Sequence, residues 1–167
     1  MSDLKLPALD PKTVAVQTGS DYPKPFGEGP GARTKRKVGD AVGLSNFGVN
    51  LVTLPPGCWS SQRHFHSKQD EFVYMISGQM TLITDGGEQV LTAGMVAGFP
   101  AGIGDGHHTI NKSDADAVYL EVGDRTADDD CDYPDIDMMT RWIGDEERFV
   151  HKDGTPYDTP PLATRNR

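Results

Sequence analysis

A chain of 167 residues is long enough for one well-packed domain and short for two. Its 25 acidic against 16 basic residues give a formal charge of −9, which repels a phosphate backbone and argues against nucleic-acid binding, although a local basic pocket can still receive an anion. Nineteen glycines, 12 prolines and 36% hydrophobic residues suit short strands joined by many turns and speak against a helical protein.

The first residues, MSDLKLPALDPKTVAV, lack the basic start and continuous apolar core of a signal peptide, and no apolar run approaches the ~20 residues of a membrane helix. A soluble, cytoplasmic protein without membrane or nucleic-acid partners is expected. The two cysteines, Cys58 and Cys131, form no CxxC and no disulfide framework, in keeping with a reducing compartment. Residues 1–45 are rich in proline, glycine and charge and show no period. They read as an N-terminal arm that packs on the rest of the molecule or on a partner subunit, because Tyr22, Phe26 and the strand-like TVAV otherwise lack a partner.

From Asn46 the pattern changes. NFGVNLVTL, EFVYMI, QMTLIT, EQVLTA and DAVYLEV are short, rich in β-branched, aromatic and aliphatic residues, and separated by turn signals such as LPPG, SGQ, DGGE and PAG. Residues 46–122 are therefore predicted to be an all-β sandwich or barrel. LITDGGEQVL reads as a hairpin in which Asp85, Gly86 and Gly87 supply positive φ. In EFVYMI both parities are apolar: Val73 and Met75 share the face of Glu71, whereas Phe72, Tyr74 and Ile76 form the other. Such a strand needs cover on both faces, from a second sheet, the arm or another subunit, and a homodimer is expected.

After Val122 come seven aspartates between Asp124 and Asp137, without EF-hand spacing, which read as a solvated acidic loop. YPDIDMM and RFVHKDGTPY read as short strands around WIGDEE, and residues 123–167 as a C-terminal extension of the same domain. His151 reads as a tail histidine.

The chemistry is concentrated in RHFHSKQDEFVYMISG, residues 63–78. Side chains two apart on a strand share a face, so His64 and His66 project together as a chelating pair. A turn after His66 lets the next strand bring Glu71 alongside. FPAGIGDGHHTIN offers a fourth ligand in His107 or His108. Neutral imidazole and carboxylate suit one divalent manganese, iron, cobalt, nickel or zinc ion rather than calcium or magnesium. A six-coordinate ion with four protein ligands keeps about two positions for water or substrate. Cys58 reads as a small buried cysteine rather than a fifth ligand, and Trp59 and Phe65 as core or interface.

These residues resemble the two motifs of the cupin superfamily. The first appears as Gly57, His64, His66, Glu71 and Gly78, with six residues rather than five between Gly57 and His64. The second appears as Gly94, Pro100, Gly102, His107 and Asn111, with four residues rather than two before the histidine. The distance to Asn111 favours His107 over His108. The resemblance covers about residues 45–122 and implies a cupin double-stranded β-helix, a jelly-roll barrel, with His64, His66, Glu71 and His107 as metal ligands.

Cupins include isomerases, epimerases, dioxygenases, decarboxylases, lyases and sugar-binding modules, so fold alone selects no activity. The single-barrel layout with long extensions is similar to bacterial proteins of unproven activity, some provisionally labelled sugar-phosphate isomerases. That resemblance implies a metal-dependent, isomerase-like proton transfer on a small oxygen-rich metabolite such as a sugar or sugar phosphate. The alternatives are an iron-dependent dioxygenase or a non-catalytic sugar-binding or sensing cupin, and lyase chemistry also stays open. Gln62, Arg63, Asp105, His108 and Tyr119 are the polar candidates for substrate contact. No catalytic base can be named, and GEGPG lacks the Lys-Ser or Lys-Thr of a phosphate loop, which counts against a phosphorylated substrate.

Overall fold

The computed structural model describes residues 5–165. In chain order a short 3-10 turn at Pro11–Thr13 is followed by β1 (Gln17–Thr18), β2 (Thr34–Arg36), the one-turn helix α1 (Val38–Ala41), β3 (Phe47–Leu54), β4 (Phe65–His66) and β5 (Glu71–Ser77). Then come β6 (Gln79–Thr84), β7 (Gly87–Thr92), β8 (Val96–Phe99), β9 (His108–Ile110) and β10 (Ala117–Asp124). The last strands are β11 (Cys131–Tyr133), β12 (Met138–Ile143), β13 (Glu146–Val150) and β14 (Ala163–Thr164). Among the described residues no helix is long and apolar enough to cross a membrane.

Three antiparallel sheets result, in the orders β1-β2-β3-β10-β5-β8, β7-β6-β9 and β14-β13-β12-β11-β4. The first two form a jelly roll. Their inward residues, Val52, Leu54, Val73, Met75, Met80, Leu82, Leu91, Ala117 and Tyr119, make one core. Alternation along β3, β5 and β10 puts these side chains on a single face, so period two builds the barrel interior.

The third sheet is made from the C-terminal extension, and its far edge is β4, the strand that carries His66. Within WIGDEE, Gly144 and Asp145 make its hairpin turn, while Trp142, Ile143, Glu146 and Glu147 are paired residues of β12 and β13. Around it lies a second apolar cluster of Cys131, Tyr133, Met138 and Phe149, packed against Tyr22 and Phe26 of the arm. Tyr22 meets Tyr133 and Phe149 at centroid distances of 5.7 and 5.6 Å. The arm thus lies on its own chain, through these aromatics and through β2, which pairs with β3.

Two sequence expectations need correction. In the β6–β7 turn only Gly87 has positive φ, at 109°; Asp85 and Gly86 form the turn without it, so Gly87 alone takes the strained position. The aspartates of 124–137 are not a free solvated loop. Asp129 is buried, Asp132 holds Arg141, Asp135 holds Arg63, and Asp137 holds His151 and the Lys152 amide. Each satisfies a donor that the sheet-to-sheet crossing would otherwise leave unpaired.

The outer face of β5 is as apolar as expected. Val73 and Met75 are buried, but Phe72, Tyr74 and Ile76 are 41–44% exposed, with no cover from the second sheet or the arm among the described residues.

Candidate metal centre

Strand register assembles the cluster. An isolated antiparallel bridge sets His64 opposite His107, β4–β11 pairing sets His66 opposite Cys131, and β5–β8 pairing sets Glu71 opposite Phe99. Residues directly opposite in antiparallel pairs share a face with Cβ atoms about 4.5–5.5 Å apart, so all six point toward one space.

Glu71 Oε2 lies at its centre, 2.9 Å from His107 Nε2, 3.5 Å from His64 Nε2 and 3.6 Å from His66 Nε2. Two donors bound to one ion at about 2.1 Å each, with angles of 90–110°, are themselves about 3.0–3.4 Å apart. The observed spacings, 2.9–3.6 Å, bracket that range, and the imidazole and carboxylate chemistry of the set suits a transition metal. His64, Glu71 and His107 present ligand atoms all within 4.8 Å of one another, and so do His64, His66 and Cys131.

The imidazoles are oriented for this task. His64 Nδ1 donates to the Gln62 carbonyl at 2.8 Å, which leaves the Nε2 lone pair facing Glu71. His66 Nδ1 is 2.5 Å from Asp129 Oδ2, the carboxylate–histidine arrangement that fixes tautomer and ring direction in metal sites. The same Asp129 accepts from the Lys68 and Gln69 amides and the Ser67 hydroxyl. His107 stacks on Phe99 with centroids 3.5 Å apart.

The titration behaviour follows. Burial would raise the Glu71 carboxyl, but the His107 and His64 imidazoles against it hold it well below its ordinary value. Burial would likewise lower His66, yet the Asp129 hydrogen bond and the Glu71 charge leave it raised. Burial dominates at His107, whose pKa is lowered.

Residues 50–123 match the family model of the cupin domain. A cupin-superfamily sugar phosphate isomerase from Silicibacter pomeroyi is 41% identical, over 94% of this chain and 100% of that one, with a TM-score of 0.86. The chain belongs to the cupin superfamily. A protein of Acidithiobacillus ferrooxidans, provisionally named a sugar phosphate isomerase, is 29% identical over 75% of this cupin and 80% of its own length, with a TM-score of 0.68. A polyketide cyclase of Streptomyces resistomycificus shares only the fold, at 18% identity over 70% of this chain and 78% of that one, with a TM-score of 0.56. No curated protein matches the chain.

The motif glycines and asparagine of this cupin are structural. The Gly57 amide donates to the Asn111 carbonyl, and the Asn111 side chain, fully buried, donates to Leu54 and Ala115 and accepts from Ser113. The two extra residues before His107 are absorbed in the loop from Ile103 to Gly106, and the bridge to His64 restores the register.

The cluster forms part of the wall of a cavity of about 290 Å³, closed by the arm on one side and the third sheet on another. Of the five residues proposed for substrate contact, His108 and Tyr119 line it. His108 is buried, at 8% exposed; it donates from Nδ1 to the Ser61 carbonyl and meets Trp59 edge-on.

The other three lie elsewhere. Gln62 donates to the Phe26 carbonyl at 2.6 Å, because residues 59–63 run as bends and bridges where strand parity does not apply. Arg63 is spent on Asp85, Asp135 and the Gly106 carbonyl. Asp105 accepts from the Asp85 amide and lines a second cavity of about 410 Å³, which shares His66, Phe99 and His107 as a wall with the first.

Sequence reasoning missed Asp129 and Cys131. Cys58, the cysteine weighed as a ligand, is turned toward the Gly29 and Trp59 carbonyls in the core, whereas Cys131 stands beside the imidazoles with its thiol pKa raised by burial. No spacing rule connects either residue to His66, some 63 residues away; only the β4–β11 pairing does.

Proposed function

We propose that this cupin is a metal-dependent enzyme that moves a proton within a small polyhydroxylated metabolite, an isomerase-type reaction on a sugar or sugar phosphate. The observation that carries the reading is the position of Glu71 Oε2 among three oriented imidazole nitrogens on the wall of a cavity lined by both polar and apolar side chains. The description of the Silicibacter pomeroyi protein as a sugar phosphate isomerase supports it.

In this reading His64, His66, Glu71 and His107 hold one divalent ion of the manganese-to-zinc group, with the Cys131 sulfur within reach. A bound ion would supply electrophilic polarisation of a substrate carbonyl or hydroxyl. The remaining work falls to the walls. Tyr119, whose phenol burial pushes well above its ordinary pKa, keeps its proton and serves as a donor. Glu121, oriented by the Asn50 amide at 3.0 Å, and Glu147, raised by burial, are two of the carboxylates outside the cluster that face the same space, with Asp21 of the arm, and they can exchange a proton there. Tyr22, Tyr133 and Phe149 close the cavity and restrict water.

The test is elemental analysis of the purified protein, followed by incubation with aldose and ketose phosphates in deuterated water without oxygen. Deuterium should enter the carbon next to the carbonyl, and His64→Ala should abolish both metal content and exchange. Turnover that survives the loss of metal, or that appears only when dioxygen is readmitted, overturns the reading.

A further inference from the structure

The 290 Å³ cavity has a second polar region, built by the arm, that the metal cluster does not use. Five buried side-chain polar atoms among the described residues lack a hydrogen-bond partner, and four of them, Ser20 Oγ, Arg33 Nε, Thr109 Oγ1 and Tyr119 Oη, belong to residues lining this cavity. Tyr119 and Thr109 are 1% and 4% exposed. Folding leaves such groups unpaired only at a cost, and their residues line one space, which marks it as a place where a ligand, with a small turn of these side chains, completes the bonding.

The donors have a sign. Arg33 is fixed by its two terminal nitrogens, which donate to the Ser60 and Gly19 carbonyls, so that its Nε–H is held without an acceptor. Lys35 stands in register with Val52, which is itself opposite Tyr119, so its side chain shares their inward face. It makes no hydrogen bond or ion pair among the described residues. Burial draws its pKa down, and the nearby Glu121 carboxylate only partly opposes this. Two cations and three hydroxyls without acceptors call for a ligand rich in acceptor oxygens. Asp21, Glu121 and Glu147 also face the cavity and repel an anion, but they can accept from sugar hydroxyls, which makes the region suited to a molecule that is both polyhydroxylated and anionic.

We infer that the N-terminal arm forms an anion subsite, in which Arg33 and Lys35, with the hydroxyls of Tyr119 and Thr109, take the phosphate ester or carboxylate of a polyhydroxylated substrate while its other end faces the Glu71 cluster. This rests on the proposed function for its second half only. The arm, which has no phosphate-loop motif, supplies the charge by adding β2 as an extra strand, and that is how a chain of net charge −9 presents cations to its own cavity.

Calorimetry on the zinc-loaded full chain with ribose 5-phosphate, ribonate and ribose tests it. At least one anion should bind about tenfold or more tightly than ribose, and which one does so distinguishes ester from carboxylate. Lys35→Met should remove most of that difference and Lys35→Arg restore it, with zinc content unchanged. Tyr119→Phe separates ligand binding from folding: deleting an unpaired buried hydroxyl should leave the melting temperature equal or higher while anion affinity falls. Equal affinity for ribose and both anions, no measurable binding of either anion, or a Lys35→Met protein that keeps the full preference overturns the subsite. Anion binding by the zinc-loaded wild-type protein with no deuterium exchange into the bound sugar phosphate sinks the enzymatic reading and leaves the subsite standing.

Discussion

Asp129 shows how much of the candidate metal centre depends on one side chain outside the ligand set. Its carboxylate takes the His66 Nδ1 proton at 2.5 Å and is itself steadied by two backbone amides and a hydroxyl. Partners of this kind typically contribute 10–100-fold to metal affinity. Asp129→Asn is therefore expected to weaken zinc binding by about that factor in a chelator competition, while melting shifts little, since the amide oxygen can still accept. The pH dependence follows from the same pair. A metal needs the His66 lone pair, and the raised His66 pKa lets protons compete from a pH above the ordinary 6.5. Apparent zinc affinity should hold at alkaline pH and fall, up to about tenfold per unit, as pH drops through the His66 pKa. Glu71 and His107, both lowered, stay in the ligating form through this window and add no second step. In Asp129→Asn protein the midpoint should move to lower pH; an unmoved midpoint would assign the proton to another group.

At the level of elements, the turn between β5 and β6 is fixed by Gly78. Its φ is +73°, and a Cβ there would overlap the Asp116 carbonyl oxygen and come within 2.9 Å of Ala117 Cα, both backbone atoms that cannot swing aside. Gly78→Ala combines an unfavourable φ with a displaced β10 and should cost about 2 kcal/mol or more in urea unfolding. Gly94, at φ +87° with nothing within 4 Å of its Cβ position, should lose only the conformational part, about 1 kcal/mol, when changed to Ala. The contrast also explains what could be read from sequence. Barrel strands β3, β5, β6, β7 and β10 announce themselves because alternation and turn glycines are local properties, and the His64–His66–Glu71 set lies within eight residues. The third sheet is harder to see: its strands follow a run of aspartates whose purpose appears only when they meet Arg141 across the β11–β12 hairpin and Arg63 and His66 across long sequence distances. Lys35 is hidden for the same reason. Nothing in TKR marks an inward lysine until β2 pairs with β3.

For the molecule as a whole, the outer face of the six-stranded sheet is the main unfinished surface. Phe72, Tyr74 and Ile76 stand on β5; Val96 lies opposite Tyr74 on β8, and Leu120 and Val122 lie opposite Tyr74 and Phe72 on β10. These strands are adjacent, so their outward side chains form one continuous apolar patch, and Val96 is 54% exposed. Isolated exposed apolar residues are ordinary, but a contiguous patch of this kind on a flat sheet marks an interaction surface. A second copy related by a two-fold axis would present the same apolar residues in return, which satisfies the self-complementarity of such an interface. A stable pair needs roughly 800 Å² buried per partner, more than the six named side chains offer, so Val49 and Leu51 on β3 must join the contact. Sedimentation should then show a particle of two chains at micromolar concentration. Tyr74→Glu, which sets carboxylates into the middle of that contact, should give single chains. Because Tyr74 points away from Val73, Met75 and the Glu71 cluster, metal content per chain should not change. A wild-type protein that sediments as one chain at tens of micromolar, or a Tyr74→Glu protein that still pairs, would place the interface elsewhere and leave the patch to a different partner.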